Sequence, residues 1–231
     1  MKKSKGMKTV TAALTLCALV AAAPLWAAIP STGSLAFQVM RSDSDIGRHE
    51  VSFRQEGEEL HVTVEIDLAV KLAFMTVFSY SHRNHEVWRD GKLVSIDTTT
   101  NDNGDEYKLT GKATEEGFVV EGDAGRIVAP AGIVPTSYWN PKTVEQTQLL
   151  DTQKGRLMEV KIESRGKESI QGSNGPIQAE RFRVSGDLKL DLWYGPGETW
   201  SKIAFEARGA EVVYNLETPL QREASLDASA N

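Results

Sequence analysis

His82, Asn84, Glu86 and Trp88 stand at every second position of one uninterrupted run, and Phe74, Thr76, Phe78 and Tyr80 precede them at the same spacing. On a β-strand that period places all eight on one face, with Met75, Val77, Ser79, Ser81, Arg83, His85, Val87 and Arg89 on the other. An imidazole, an amide and a carboxylate beyond an aromatic stretch are the groups a cleft needs to hold an apolar body by a polar end. The same imidazole and carboxylate could serve as an acid–base pair if Glu86 came within hydrogen-bond reach of His82, oriented its ring and raised its pKa. No Gly-x-Ser-x-Gly nucleophile signature accompanies them. The pair alone therefore specifies no reaction, and no residue is assigned as catalytic.

Metal and phosphate chemistry find less support. His82 and His85 point to opposite faces of a strand, and His49 and His61 lie in other segments, so two convergent imidazoles and a carboxylate are not assembled. Asp102-Asn103-Gly104-Asp105-Glu106 lacks the distal glutamate and following helix of a calcium loop and reads as a turn. Gly122, Gly125, Gly195 and Gly197 lack the strand-to-helix setting of a phosphate cradle. The expectation is no metal and no cofactor.

A second cluster is Tyr138-Trp139-Asn140-Pro141, two amphipathic rings beside an amide in a proline-bounded stretch. It could wall an apolar pocket or plug the core. The candidate ligand-binding set is thus Phe78, Tyr80, His82, Asn84, Glu86, Trp88, Tyr138, Trp139 and Asn140. Against it stands the plainer reading, in which only residues 74–80 face a core. Trp193, Tyr194 and Trp200 read as core residues or cross-strand pairs.

The elements that must position these residues are strands. Alternation with period two runs through residues 35–39, 46–54 and 60–72, with turns at 41–45 and 56–58. Residues 74–104 form a hairpin about Asp90-Gly91. Strands then follow at 106–113, 118–121 and 126–129. Residues 130–147 break the rhythm with Pro130, Pro135 and Pro141, and one helical turn there could be capped by Thr136 or Ser137. Alternation resumes over 157–165, a Gly166 turn, 167–171, an Asn174-Gly175-Pro176 turn and 177–185, and closes with 188–194, 199–208 and 211–216. About a dozen strands joined by short turns predict an all-β, mainly antiparallel meander. A sheet so wide must curl, giving a half-barrel or a partly closed barrel, with residues 130–147 as its loop or helical plug.

Residues 1–27 carry Lys2, Lys3, Lys5 and Lys8, an uncharged apolar stretch from 10 to 23, and small residues at Ala27 and Ala28, the pattern of a cleaved signal peptide. Export to the periplasm is expected, with one β domain over 28–218 and a flexible tail over 219–231. Cleavage removes Cys17, the only cysteine, and with it any thiolate or disulfide. It also removes four lysines from the 26 Lys and Arg that face 32 Asp and Glu, leaving a formal charge of −10. Such a chain repels phosphate backbones, so nucleic acid is not expected as a partner. No apolar run is long enough for a transmembrane segment in the mature chain.

The strings HEVWRDGKLVSIDTTTNDNG, TSYWNP, LLDTQKGRL and LWYGPGETWSKIAFEARGAEVVY, in this order behind a signal peptide, resemble a family of uncharacterised Gram-negative envelope proteins, domain of unknown function 6134. The closing hairpin also looks like that of another uncharacterised periplasmic half-barrel family. The resemblance implies kinship with envelope proteins that shelter acyl chains in a concave sheet, and it carries over no catalytic residue. The expected function is non-enzymatic binding of an apolar or amphipathic ligand, a lipid among the candidates, in a concave sheet. The alternatives are an envelope assembly protein acting on another envelope protein, and an enzyme using the His82/Glu86 pair.

Overall fold

A computed structural model of the chain describes residues 33–217 except 124 and 173. The expected signal peptide and tail lie outside them. Fifteen strands form one sheet. The first eight are β1 (Ser34–Arg41), β2 (Ser44–Glu56), β3 (Glu59–Leu72), β4 (Met75–Arg89), β5 (Lys92–Asp102), β6 (Asp105–Thr114), β7 (Gly117–Gly122) and β8 (Gly125–Ala129). The other seven are β9 (Val134–Pro135), β10 (Gln148–Leu150), β11 (Leu157–Gly172), β12 (Gly175–Gly186), β13 (Leu190–Tyr194), β14 (Trp200–Ala207) and β15 (Ala210–Leu216). From β1 the chain meanders outward to the edge at β8, crosses to the opposite edge at β9, and meanders back until β15 pairs with β1. Pairing is antiparallel throughout except between β9 and β10. The sheet curls without closing.

The alternation read from the sequence becomes one buried and one solvated face, which is what a curled antiparallel sheet requires. The hairpin turns fall where expected, with Asp90 and Gly91 both at positive φ, the conformation of a type I′ turn. Three local readings change. Gly166 is not a turn: β11 runs straight through it, and the register against β12 slips between Ser164 and Gly166, so it marks a bulge. The short strand β9 lies inside the segment expected to be irregular, and β10 follows directly after that segment. The single 3₁₀ turn there, Pro141–Glu145, is capped by Asn140, whose Oδ1 accepts from Lys142 N at 3.0 Å, rather than by Thr136 or Ser137. Pro141 suits its first position because the missing N–H has no partner to lose.

Curvature is set in part at Gly47 in β2, where the register against β1 slips. Its φ is +138°, and a Cβ there would lie 2.0 Å from the Asp67 carbonyl oxygen of β3, so only glycine fits.

The register defines rows of inward-facing residues across β3, β4 and β5. They are Leu60/Trp88/Leu93, Val62/Glu86/Ile96, Val64/Asn84/Thr98, Ile66/His82/Thr100 and Leu68/Tyr80/Asp102, with Val70/Phe78 at the rim. The crossing segment between β8 and β10 packs onto the first two rows. Trp139 is fully buried there, edge to face with Trp88 at 5.3 Å and with Phe53 at 5.4 Å. The plug therefore fills one end of the trough only. The rows beyond Asn84 stay open.

Candidate functional site: a half-plugged concave cavity

The open end is a cavity of about 840 Å³, within the range of small-molecule sites. One wall is Val64, Ile66, Leu68 and Val70 of β3 with Phe78 and Tyr80 of β4; the facing wall includes Ile203, Phe205, Val212 and Tyr214 of β14 and β15. Arg41, Asp102, Lys154, Arg156 and Arg208 also contribute, a mixture of charges. The Arg208 guanidinium lies 4.5 Å from the centre of the Phe78 ring. Tyr80 Oη donates to Gln153 Oε1 at 3.4 Å, linking β4 to the turn after β10.

Of the nine candidate residues, Phe78, Tyr80, His82, Asn84 and Tyr138 line this cavity. Glu86, Trp88, Trp139 and Asn140 lie beneath it. Phe74, expected to extend the aromatic face, sits outside β4 in the turn after β3 and is 95% exposed. With Leu72, Met75 and Val77 it forms an exposed apolar hairpin tip beyond the rim.

Glu86 is fully buried, and its carboxylate closes a polar knot. Oε2 accepts from the indole N–H of Trp88 at 2.8 Å and of Trp139 at 2.9 Å; Oε1 accepts from the Asn84 amide at 2.9 Å. Burial drives its pKa upward, opposed by the hydrogen bonds from Trp139, Trp88 and Asn84 that favour the ionised form. Asn84 thus hands one side of its amide to the knot. Its Oδ1, on the cavity wall, has no partner.

The acid–base pair is not formed. His82 and Glu86 are four residues apart on an extended strand, roughly 13 Å along it, with Asn84 between them. His82 Nδ1 instead bonds Thr100 Oγ1 at 2.7 Å. Its pKa is lowered to about 4, first by burial and then by Arg83, against the opposing pull of Asp151. An orienting carboxylate would have raised it.

Tyr138 is presented by a strained turn. Trp139 N–H donates to the Ser137 carbonyl at 2.8 Å across a residue with φ +59°, the rare positive-φ form of the γ-turn. The Trp139 indole fixes one side, and Tyr194 Oη, donating to the Tyr138 carbonyl at 2.7 Å, fixes the other. Strain of about 1–3 kcal/mol held in this way is typical of sites that must aim a side chain.

His49 was not among the candidates, and it is the most unusual group in the cavity. It is 3% exposed, neither ring nitrogen has a partner, and burial with the nearby His82 lowers its pKa to about 3. Phe37, Trp200 and Tyr214 surround it edge to face at 5.8, 5.1 and 5.5 Å. The sequence signal was faint: a histidine in phase with Val51 and Phe53 on the buried face of an alternating strand. Among the described residues no group of three or more His, Cys, Asp or Glu is placed to hold a metal ion, and no helix is long and apolar enough to cross a membrane.

The chain belongs to the family described as Domain of unknown function (DUF6134), whose model matches residues 37–217. No curated protein matches it. A crystal structure described as a β-barrel-like protein of domain of unknown function DUF1849 from Brucella abortus is similar in fold. Its TM-score is 0.56 at 11% identity, covering 79% of this chain and 94% of that one.

Proposed function

We propose that this protein is a non-enzymatic binder of an apolar or amphipathic small molecule, held in the concave sheet. It would work in the periplasm after export through the cleaved signal of residues 1–27. The observation that carries the reading is the half-plugged trough. The chain spends fifteen strands and a strained crossing segment on filling one end and leaves about 840 Å³ at the other, walled by aliphatic and aromatic side chains. A core free to collapse would not leave such a volume, because unfilled apolar space costs stability. A lipid-like chain suits the long apolar wall from Ile66 to Phe78. Buried Glu86 acts as the staple that holds the plug, not as an acid or base.

The test is fluorescence titration with N-phenylnaphthylamine, a neutral dye that brightens in apolar surroundings. Wild-type protein is expected to bind it saturably at one site. Ile66→Trp, which fills the middle of the cavity, is expected to weaken binding by at least about tenfold, or ~1.4 kcal/mol, with an unchanged far-ultraviolet circular dichroism spectrum. Equal binding by both proteins would remove the cavity from the account.

A further inference from the structure

The geometry points to a head-group site at the closed end of this cavity, formed by His49, His82 and Asn84, that takes an uncharged oxygen head able both to donate and to accept a hydrogen bond: the hydroxyl or protonated carboxyl of a single-chain amphiphile inserted head first. The inference rests on the ligand-binding reading above and adds the ligand's class and orientation.

His49 and His82 occupy a single row, both paired with Ile66 of β3 from opposite sides. Their backbones are two strand spacings apart, roughly 9–10 Å, and the curl of the sheet inclines residues of its inner face toward each other. His49 presents two unpartnered ring nitrogens and Asn84 an unpartnered Oδ1. Thr100 engages only Nδ1 of His82, leaving Nε2. Buried polar groups are hydrogen-bonded in nearly all folded proteins, so orphans facing one apolar cavity call for a common explanation.

The chemistry of the missing partner follows from what these groups offer. An uncharged imidazole carries one N–H donor and one lone pair, and the Asn84 oxygen only accepts. A hydroxyl satisfies both kinds at once; a methyl ester cannot donate, and an alkane does neither. At this end a permanent anion is ill matched, since the cations that line the cavity elsewhere, Arg41, Lys154, Arg156, Lys189 and Arg208, are not among the charges that act on His49 and His82. The Arg83 guanidinium is turned to the outer face, bonded to Asp67 at 2.8 Å, and Asp151 is the charge that acts on His82 from the cavity side. From the head the chain would run past Leu68 to Phe78 at the rim, where the exposed apolar residues of the β3–β4 tip begin.

Displacement of bound N-phenylnaphthylamine by dodecanol, dodecanoic acid, methyl dodecanoate and dodecyl sulfate separates the possibilities. Dodecanol is expected to displace the dye roughly tenfold more effectively than the ester or the sulfate, the worth of one or two net hydrogen bonds. Dodecanoic acid should match the alcohol at acid pH and weaken as it ionises. His49→Phe should make alcohol and ester equal, and His82→Phe should narrow the gap. Equal displacement by alcohol and ester in the wild type overturns the head-group site while leaving the cavity as a plain apolar binder. The sulfate as best competitor overturns it in favour of an anion site. Failure of the dye itself to bind defeats the ligand-binding reading beneath it, a separate result.

Discussion

Glu86→Ala is expected to remove about 4 kcal/mol or more of stability, a large part of what a domain of this kind possesses. The loss has a specific origin. Three buried donors, the indoles of Trp88 and Trp139 and the Asn84 amide, converge on the carboxylate, and each left unpaired costs about 1–3 kcal/mol. Glu86→Gln is expected to cost only about 1 kcal/mol. Its amide oxygen can still accept from both indoles, and the orphan Oδ1 of Asn84 becomes a partner for its NH₂ once the Asn84 amide turns over. Urea unfolding midpoints measure the pair, and equal losses for Ala and Gln would show that the knot is not what holds the plug. A pH signature accompanies it. Burial raises the Glu86 pKa from 4.5, so the folded chain keeps this proton to higher pH than the unfolded chain does. The associated stability is full below about 4.5, is lost as pH rises through the raised value, and should vanish in Glu86→Gln.

Acid lability is the second large effect, with the opposite sign. The folded-state pKa of His49 is about 3 and that of His82 about 4, against 6.5 for each in the unfolded chain. Between those values the unfolded chain binds more protons, so stability present above 6.5 is lost as pH falls toward 4 and then 3. By linkage the two shifts correspond to about 5 and about 3 kcal/mol, an upper bound since the chain opens before both are exhausted. The groups that act on them are named by the fold. Tyr214 of β15 packs against His49, His82 disfavours a charge on His49, and Asp151 and Arg83 act on His82 in opposite senses. Thermal melts from about pH 7 to about pH 4 should show a steep fall for wild type and a shallow one for the double variant His49→Phe/His82→Phe. At pH 7 the double variant is expected to melt only slightly below wild type, because the replaced nitrogens of His49 have no partners to lose and His82 gives up a single bond, that to Thr100 Oγ1. Parallel curves would mean the imidazoles are not buried as described.

Much of the sheet could be read from alternation and turn residues, because each hairpin is a local decision: Asp90-Gly91 sits between two period-two runs and closes them. What escaped the reading is non-local. Nothing in residues 34–41 announces that β1 pairs with β15, since that contact joins the first and last strands of the described residues. The strands β9 and β10, two and three residues long, are too short to show a period. Gly166 looked like a turn because a bulge and a turn ask the same freedom of glycine.

The site was legible as a face and not as a place. Spacing put Phe78, Tyr80, His82, Asn84, Glu86 and Trp88 on one side of β4, and they are there. It could not say that Trp139 returns from the crossing segment to seal Glu86 and Trp88 away from the cavity, which turns a candidate acid–base pair into a staple. Phe74 dropped off the face because β4 begins only at the residue after it. His49 was passed over because a lone histidine on an alternating strand reads as ordinary; only the absence of partners in three dimensions sets it apart.

The most direct test of the central claim is a crystal structure of the protein grown with dodecanol. A bound chain is expected along Ile66, Leu68 and Phe78, its hydroxyl within hydrogen-bond distance of His49. Dodecanol found only on the exposed tip around Phe74, with ordered water alone beside His49, would contradict it.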